Sequence, residues 1–424
     1  MKQKVKTNHR SINDGYSLKQ NKLHDKRHST ETEANGHQVP VVWDRAYDYN
    51  VFDKDGNKWI DMTSGIFVTN AGHANPEIKK AIKDQVDADL IFAYQYITEI
   101  RQQYVDKLLN ASPDHFEKSI LLNTGSEATD AAYRLIKSWA KKNNKKYIIT
   151  FNGSYHGRVL GSAFICGSKD ATEWSSMVDD DVVFIDFPTD PDVEFDPNIL
   201  PPADQIAAFF LETYQGWAAW MYPPQYIKDL YNFARQNGAL VCFDEVQAGF
   251  YRMGQLFGFM TYGDFIEPDL ISLGKGISSS LPMSAVLGRS EIIDIDLSAN
   301  LSGTHAGNAL GSAACLANLE VLTDSAFQDE LKEKIIHFEA RCEKLLKLDA
   351  VVKNNYRGMV AGVILENTEI ADSVVNKCIM NGVLPVRTGR ESIKLGPPLT
   401  ISVEAIEEAF DVIESAIIEA SNGE

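Results

Sequence analysis

Cysteine is scarce in this sequence: Cys166, Cys242, Cys315, Cys342 and Cys378 are scattered, with no Cys-x-x-Cys spacing. That pattern suggests neither a disulfide framework nor a zinc site, and it suits a reducing cytoplasm. No uninterrupted apolar stretch is long enough to span a bilayer, and the N-terminus has no apolar signal region. A soluble, cytoplasmic protein is expected. Positive charge is in deficit, with 41 Lys and Arg against 59 Asp and Glu and a net charge of −18. This argues against nonspecific nucleic-acid or anionic-membrane binding, although a local basic patch can still take one phosphate. A Gly-x-Gly-x-x-Gly directly after a strand is also missing, which argues against a Rossmann-type dehydrogenase.

What is present is a chain of 424 residues, 44% of them apolar, enough for a large core and more than one domain. Apolar runs at residues 119–123, 147–151, 182–186, 206–212, 239–244 and 270–273 alternate with amphipathic helical patterns. Such alternation predicts an α/β fold with a mostly parallel sheet between helices and ligands at the carboxyl ends of the strands. Residues 51–61 read as a hairpin around Asp55-Gly56. Residues 1–40 differ in composition: they are polar and basic without sustained apolar periodicity, and are expected to be flexible or to wrap a partner subunit. The histidines there, His9, His24, His28 and His37, are too irregularly spaced for a metal tract.

Chemistry concentrates at strand ends. Val241-Cys242-Phe243 delivers Asp244, and Leu270-Ile271-Ser272-Leu273-Gly274 delivers Lys275. A lysine on a glycine-flanked turn can form a Schiff base with an aldehyde, and a carboxylate facing a pyridine nitrogen keeps it protonated. Those are the two groups that pyridoxal phosphate (PLP) chemistry requires. Leu121-Leu122-Asn123-Thr124-Gly125-Ser126-Glu127 reads as strand, turn and helix N-terminus, where unpaired N–H groups bind a phosphate; Thr124 or Ser126 can equally be a plain N-cap. Glycines bracket Tyr155-His156 in Phe151-Asn152-Gly153-Ser154-Tyr155-His156-Gly157, so an aromatic there can lie on a cofactor ring.

Six blocks in order, residues 123–128, 151–157, 212–216, 244–254, 268–276 and 304–308, resemble the class III PLP-dependent aminotransferases, the family of the 4-aminobutyrate, ornithine and acetylornithine enzymes. The resemblance runs from about Trp43 to about Leu399. It implies fold type I: a large PLP-binding domain over residues 76–319 and a smaller α+β domain over 320–424, completed by residues 41–75. It implies that Lys275 carries the Schiff base and shuttles the substrate proton, and that Asp244 pairs with the pyridinium nitrogen. Val246, two residues on along the same strand face, packs under the ring; Tyr155 covers it, and His156 beside it is also a cofactor-binding residue; Gln247 bonds the phenolic oxygen. Gly125 and Ser126 hold the phosphate, Glu212 reaches the site from its own strand end, and Thr304 binds the phosphate of the other subunit of a homodimer or larger assembly. As a plain alternative, Thr304 is an N-cap before the helix that follows. Ile66, Phe67 and Val68 are expected at the substrate entrance.

Two positions depart from the best-known members. Trp217 stands where a second glutamate is usual, and Lys394 where a C-terminal arginine binds the substrate carboxylate. A point charge replaces a bidentate fork, which favours amines with an apolar or compactly anionic far end; alternatively Lys394 points to solvent and Arg387 or Arg390 supplies the charge. The expected activity is amino transfer from a primary amine or ω-amino acid to a keto acid. The alternative is a lyase acting on a phosphorylated or phosphonate-bearing amine. Retention of both Lys275 and Asp244 argues against a non-catalytic relative.

Overall fold

An Asp-Gly turn starts the first sheet. Gly56 takes the left-handed conformation at φ +81°, Asp53 accepts hydrogen bonds from the N–H groups of Asp55 and Asn57, and Phe52 pairs with Lys58 across the turn. The computed structural model describes residues 3–18, 30–32, 39–94, 96–168 and 171–423. The chain divides into one unit of Met1–Ile66, Gly72–Asn75 and Leu331–Glu424 and another of Phe67–Ala71 and Pro76–Glu330.

In the first unit, β1 (Gln3–Lys6), β2 (Ser11–Asn13), β3 (Arg45–Tyr47), β4 (Asn50–Phe52) and β5 (Lys58–Asp61) lie in the order β1-β2-β5-β4-β3. The first two strands fall in the segment expected to be flexible or to wrap a partner subunit. Their anchors are mostly polar and so leave no apolar period: Asn13 N donates to Asn57 Oδ1 at 2.7 Å, and Arg10 pairs with Glu408 at 2.6 Å, while only Ile12 is fully buried. His9 Nδ1 lies 2.9 Å from the Tyr49 hydroxyl. His24, His28 and His37 lie outside the described residues.

The second unit runs α1 (Pro76–Asp87), α2 (Glu99–Ala111), β6 (Lys118–Leu122), α3 (Gly125–Lys142), β7 (Tyr147–Phe151), α4 (Leu160–Phe164), β8 (Val182–Ile185), β9 (Ile206–Glu212), α5 (Pro224–Gln236), β10 (Leu240–Asp244), β11 (Leu270–Leu273), β12 (Ser284–Gly288), α6 (Ser290–Ile293) and α7 (Ala309–Thr323). Its seven-stranded sheet has the order β6-β12-β11-β10-β9-β7-β8, and β12 alone runs against the others. The strands are apolar on both faces because both faces are covered. Phe210, Cys242, Leu270 and Val286 pack with Ala128, Leu135 and Ile136 of α3, while Phe209, one residue away and on the opposite face, meets the ring of Phe233 on α5. Burying each such side chain stabilises the fold by roughly 1.5–3 kcal/mol. A parallel sheet built this way presents β9, β10 and β11 with their carboxyl ends aligned.

The first unit resumes at Leu331, within α8 (Ser325–Leu345), and continues with β13 (Val351–Arg357), β14 (Val360–Leu365), α9 (Thr368–Met380), β15 (Val383–Leu384), β16 (Val386–Arg387), β17 (Ser392–Leu395) and α10 (Val403–Ser421). Strand β15 joins the first sheet on β5, and the others form a second, antiparallel sheet ordered β13-β14-β17-β16. Lys394 sits in β17 between Gly362 and Val386 and is 4% exposed. It therefore does not point to solvent. Arg387 is held in a two-bonded pair with Asp372, at 2.6 and 2.7 Å. No described helix is long and apolar enough to cross a membrane.

Candidate active site

Strand register puts Asp244 beside Glu212 on one side and Ser272 on the other, and Lys275 follows β11 directly. All five residues of β10 are buried. A carboxylate in such a place needs partners, and Asp244 has one on each oxygen: Oδ1 accepts from Val246 N at 3.0 Å, and Oδ2 lies 2.8 Å from His156 Nδ1. The backbone turn that makes the first bond takes Val246 out of the strand, so it sits in a turn rather than on the strand face expected. The His156 ring is wholly buried, stacked edge-on against Phe210 at 4.9 Å, and its carbonyl accepts the Thr129 hydroxyl at 2.5 Å. Among the described residues its Nε2 meets no partner.

Lys275 occupies the left-handed region at φ +44°, a position a non-glycine residue holds only when its surroundings over-determine it. Burial lowers its ammonium pKa, with the carboxylates of Asp244 and Glu212 pulling the other way. The result is an amine that loses its proton more easily than a surface lysine, as a nucleophile must.

At the end of β6 the helix cap is Thr124, not Ser126. Thr124 Oγ1 accepts from Glu127 N, while Glu127 Oε2 accepts from Asn123 N and Thr124 N. This capping box leaves the N–H groups of Gly125 and Ser126 at the positive end of an 18-residue helix. Close approach explains the glycine: a Cβ on Gly125 would lie 2.7 Å from Val246 Cγ1, and one on Gly274 would lie 3.2 Å from both Gly125 Cα and Val246 Cγ1. Val246 is thus wedged between the phosphate-type turn and the turn that carries Lys275. Ser126 Oγ accepts Arg158 N at 3.2 Å.

Tyr155 is 51% exposed, an aromatic face open at the turn after β7. Glu212 at the end of β9 is buried, and burial pushes its acid up to about 7. Its two oxygens accept from Tyr155 N at 3.1 Å and Gly216 N at 3.0 Å. Trp217 follows, its Nε1 donating to Gln215 Oε1 at 2.8 Å. Gln247 is partly exposed beyond Val246. Phe67 is buried under the Arg252 guanidinium, 5.4 Å from its ring. Ile66, by contrast, is 49% exposed; it and Lys394 belong to the other unit. Thr304 is exposed in a turn, and it does not cap α7: Asn308 does, accepting Gly311 N at 2.7 Å.

Two buried charged groups near the site carry no sequence-based role. Glu245 is fully buried, with its acid pushed up to about 7; it accepts the Thr213 hydroxyl and, at 2.7 Å each, Gly258 N and Phe259 N. Arg252, also fully buried, donates to Asn70 Oδ1 at 2.8 Å. A charged residue beside the strand-end Asp244 was the available signal for Glu245; nothing local marked Asn70.

The residues fit PLP. A helix N-terminus with free N–H groups suits its phosphate, the buried and oriented Asp244 suits its ring nitrogen, and the desolvated amine of Lys275 suits its aldehyde.

Residues 32–417 match the family described as aminotransferase class-III. The acetylornithine aminotransferase of Methanothermobacter thermautotrophicus is 31% identical over 382 residues, covering 89% of this chain and 94% of that protein. The isoleucine 2-epimerase of Lentilactobacillus buchneri is 28% identical over 415 residues, covering 91% of each. In fold, the chain superposes on an ornithine aminotransferase from Toxoplasma gondii with a TM-score of 0.84 at 23% identity, covering 95% of this chain and 96% of that one. An omega transaminase mutant from Pseudomonas jessenii gives 0.86 at 20% identity, covering 95% and 99%. The lyase alternative finds no support among these relatives. The match over most of the chain, joined to a strand-end lysine and aspartate, shows that this protein belongs to the class III aminotransferases, PLP-dependent enzymes of fold type I.

Proposed function

We propose that this aminotransferase takes the amino group of a primary amine or ω-amino acid whose far end is apolar or compactly anionic, and passes it to a keto acid, with Lys275 as the covalent attachment point and proton carrier. One observation carries the reading: the Lys275 amine, desolvated, shares a row of strand ends with the oriented carboxylate of Asp244. PLP, when bound, supplies an aldehyde for the amine and a ring that draws electrons from the adjacent carbon. Asp244, held by His156 and Val246 N, keeps a proton on the ring nitrogen. The N–H groups of Gly125 and Ser126 and the Ser126 hydroxyl would hold the phosphate, Val246 and Tyr155 would pack against the ring, and Gln247 would meet its phenolic oxygen. The released Lys275 amine moves the proton at the substrate carbon.

Trp217, Ile66, Phe67 and Lys394 are the residues proposed to meet substrate, and Thr304 is proposed to reach the phosphate in the partner subunit of a cytoplasmic homodimer. Support for the dimer comes from apolar side chains left in water: Phe92 is 47% exposed and Ile97 94%, and the Phe92 ring lies 5.0 Å from that of His305, the residue after Thr304. A second reading, epimerisation at an α-carbon, is favoured only by the relative named isoleucine 2-epimerase. Purified protein given chiral amines and amino acids, with and without keto acid, separates the two. Amino transfer that requires the keto acid supports the proposal; racemisation without acceptor, with no amino transfer in its presence, overturns it.

A further inference from the structure

Both carboxylate oxygens of Glu212 are engaged by backbone N–H groups, and the two groups belong to different turns. Tyr155 N, on the turn after β7, meets Oε2 at 3.1 Å, and Gly216 N, on the turn after β9, meets Oε1 at 3.0 Å. The acceptor is rigidly based, since Glu212 ends a strand whose seven residues are all buried. Its neighbour must be small: a Cβ on Gly216 would lie 2.9 Å from Oε1. A second tether joins the same two turns, because Trp217 Nε1 donates to Gln215 Oε1 at 2.8 Å while Gln215 Nε2 donates to Asn152 O at 2.7 Å. The indole beyond Gly216 and the phenol of Tyr155 are therefore mechanically coupled.

We infer that Glu212 is a positioning residue rather than a cofactor ligand: its carboxylate clips the Tyr155 turn to the Trp217 turn and sets how the two aromatic walls stand to each other. The inference rests on the reading of Tyr155 and Trp217 as walls for cofactor and substrate. Each oxygen of Glu212 accepts from a different turn, so the side chain is committed to holding the two turns together. Misplacing a positioned wall by about 1 Å costs on the order of 100-fold in rate.

Amide hydrogen exchange resolved to single residues, on the holoenzyme, tests the clip. In Glu212→Ala the amides of Tyr155 and Gly216 should lose at least tenfold of their protection while those of residues 208–211 keep theirs. Turnover should fall about 10- to 100-fold with cofactor loading unchanged. Glu212→Gln keeps the side-chain shape and one carbonyl oxygen, so only one of the two amides should be deprotected; this variant carries the test if the alanine variant fails to fold. Unchanged protection at both amides overturns the inference, as does loss of cofactor loading with both amides still protected. The amide readout holds whether or not Lys275 carries the cofactor, so failure of the functional reading and failure of the clip are told apart.

Discussion

The strand ends of β9, β10 and β11 and the turn around Thr304 lie in the same unit, yet their side chains are placed very differently: the first are buried and the second exposed. At the strand ends each carboxylate oxygen of Asp244 and Glu212 has a partner within the chain, and both residues are under one-tenth exposed. Around Thr304 the side chains of Ser302, Thr304 and His305 face water, and so does Phe92, whose ring meets that of His305. Buried charge has to be satisfied locally, because desolvating it without partners costs several kcal/mol per ion. Exposed apolar side chains such as Phe92 and Ile97 are what the proposed isologous dimer would cover, each copy supplying the same patch in return.

The sharpest way to break the first half of this contrast is Asp244→Ala. It removes the buried charge and leaves His156 without its carboxylate, so kcat should fall about 10²–10³-fold, the scale of losing one preorganised electrostatic partner, with cofactor binding still measurable. A near-normal kcat would show that the strand-end charge has no role in turnover.

The second half is tested by mixing Lys275→Ala with Thr304→Ala and reassembling the subunits. If Thr304 acts across the interface, each hybrid has one site with both lesions and one with neither, and random reassembly makes about a quarter of all sites intact. Activity should exceed the mean of the two parents. If Thr304 acts within its own chain, confirmed hybrids will show only that mean.

A smaller effect sharpens what burial does to charge. Burial pushes Glu245 up to about 7, whereas in the unfolded chain it titrates at about 4.3. Between those values the folded protein holds a proton the unfolded chain has released. Its contribution to stability is therefore greatest at low pH and declines as pH rises toward 7. The unfolding free energy of wild type, from urea melts, should fall more steeply from pH 5 to pH 7 than that of Glu245→Gln, by up to roughly 1.4 kcal/mol per pH unit. Parallel slopes would mean that Glu245 is ionised throughout.

Much of the site was legible because strands buried on both faces are continuous apolar runs, and a charged or glycine-flanked residue at the end of one stands out, as Asp244 and Lys275 do. What escaped is long-range or small. The pairing of His156 with Asp244 joins residues 88 positions apart, so no local pattern carries it. Strand β12 is a Ser-Ala-Val-Leu-Gly run too short and small-sided to be told from a loop. The strands β1 and β2 are fixed mainly by hydrogen bonds and an ion pair, which have no period. Thr304 was read as a possible cap because a hydroxyl before a helix usually is one; Asn308, immediately before the helix, took that place.

The central claim, that Lys275 is where the cofactor is held, is tested most directly by borohydride reduction of the holoenzyme followed by peptide mapping. A pyridoxyl group is expected on Lys275 and none elsewhere in stoichiometric amount. A stoichiometric label on any other lysine, or none on a protein shown to contain the cofactor, would contradict it.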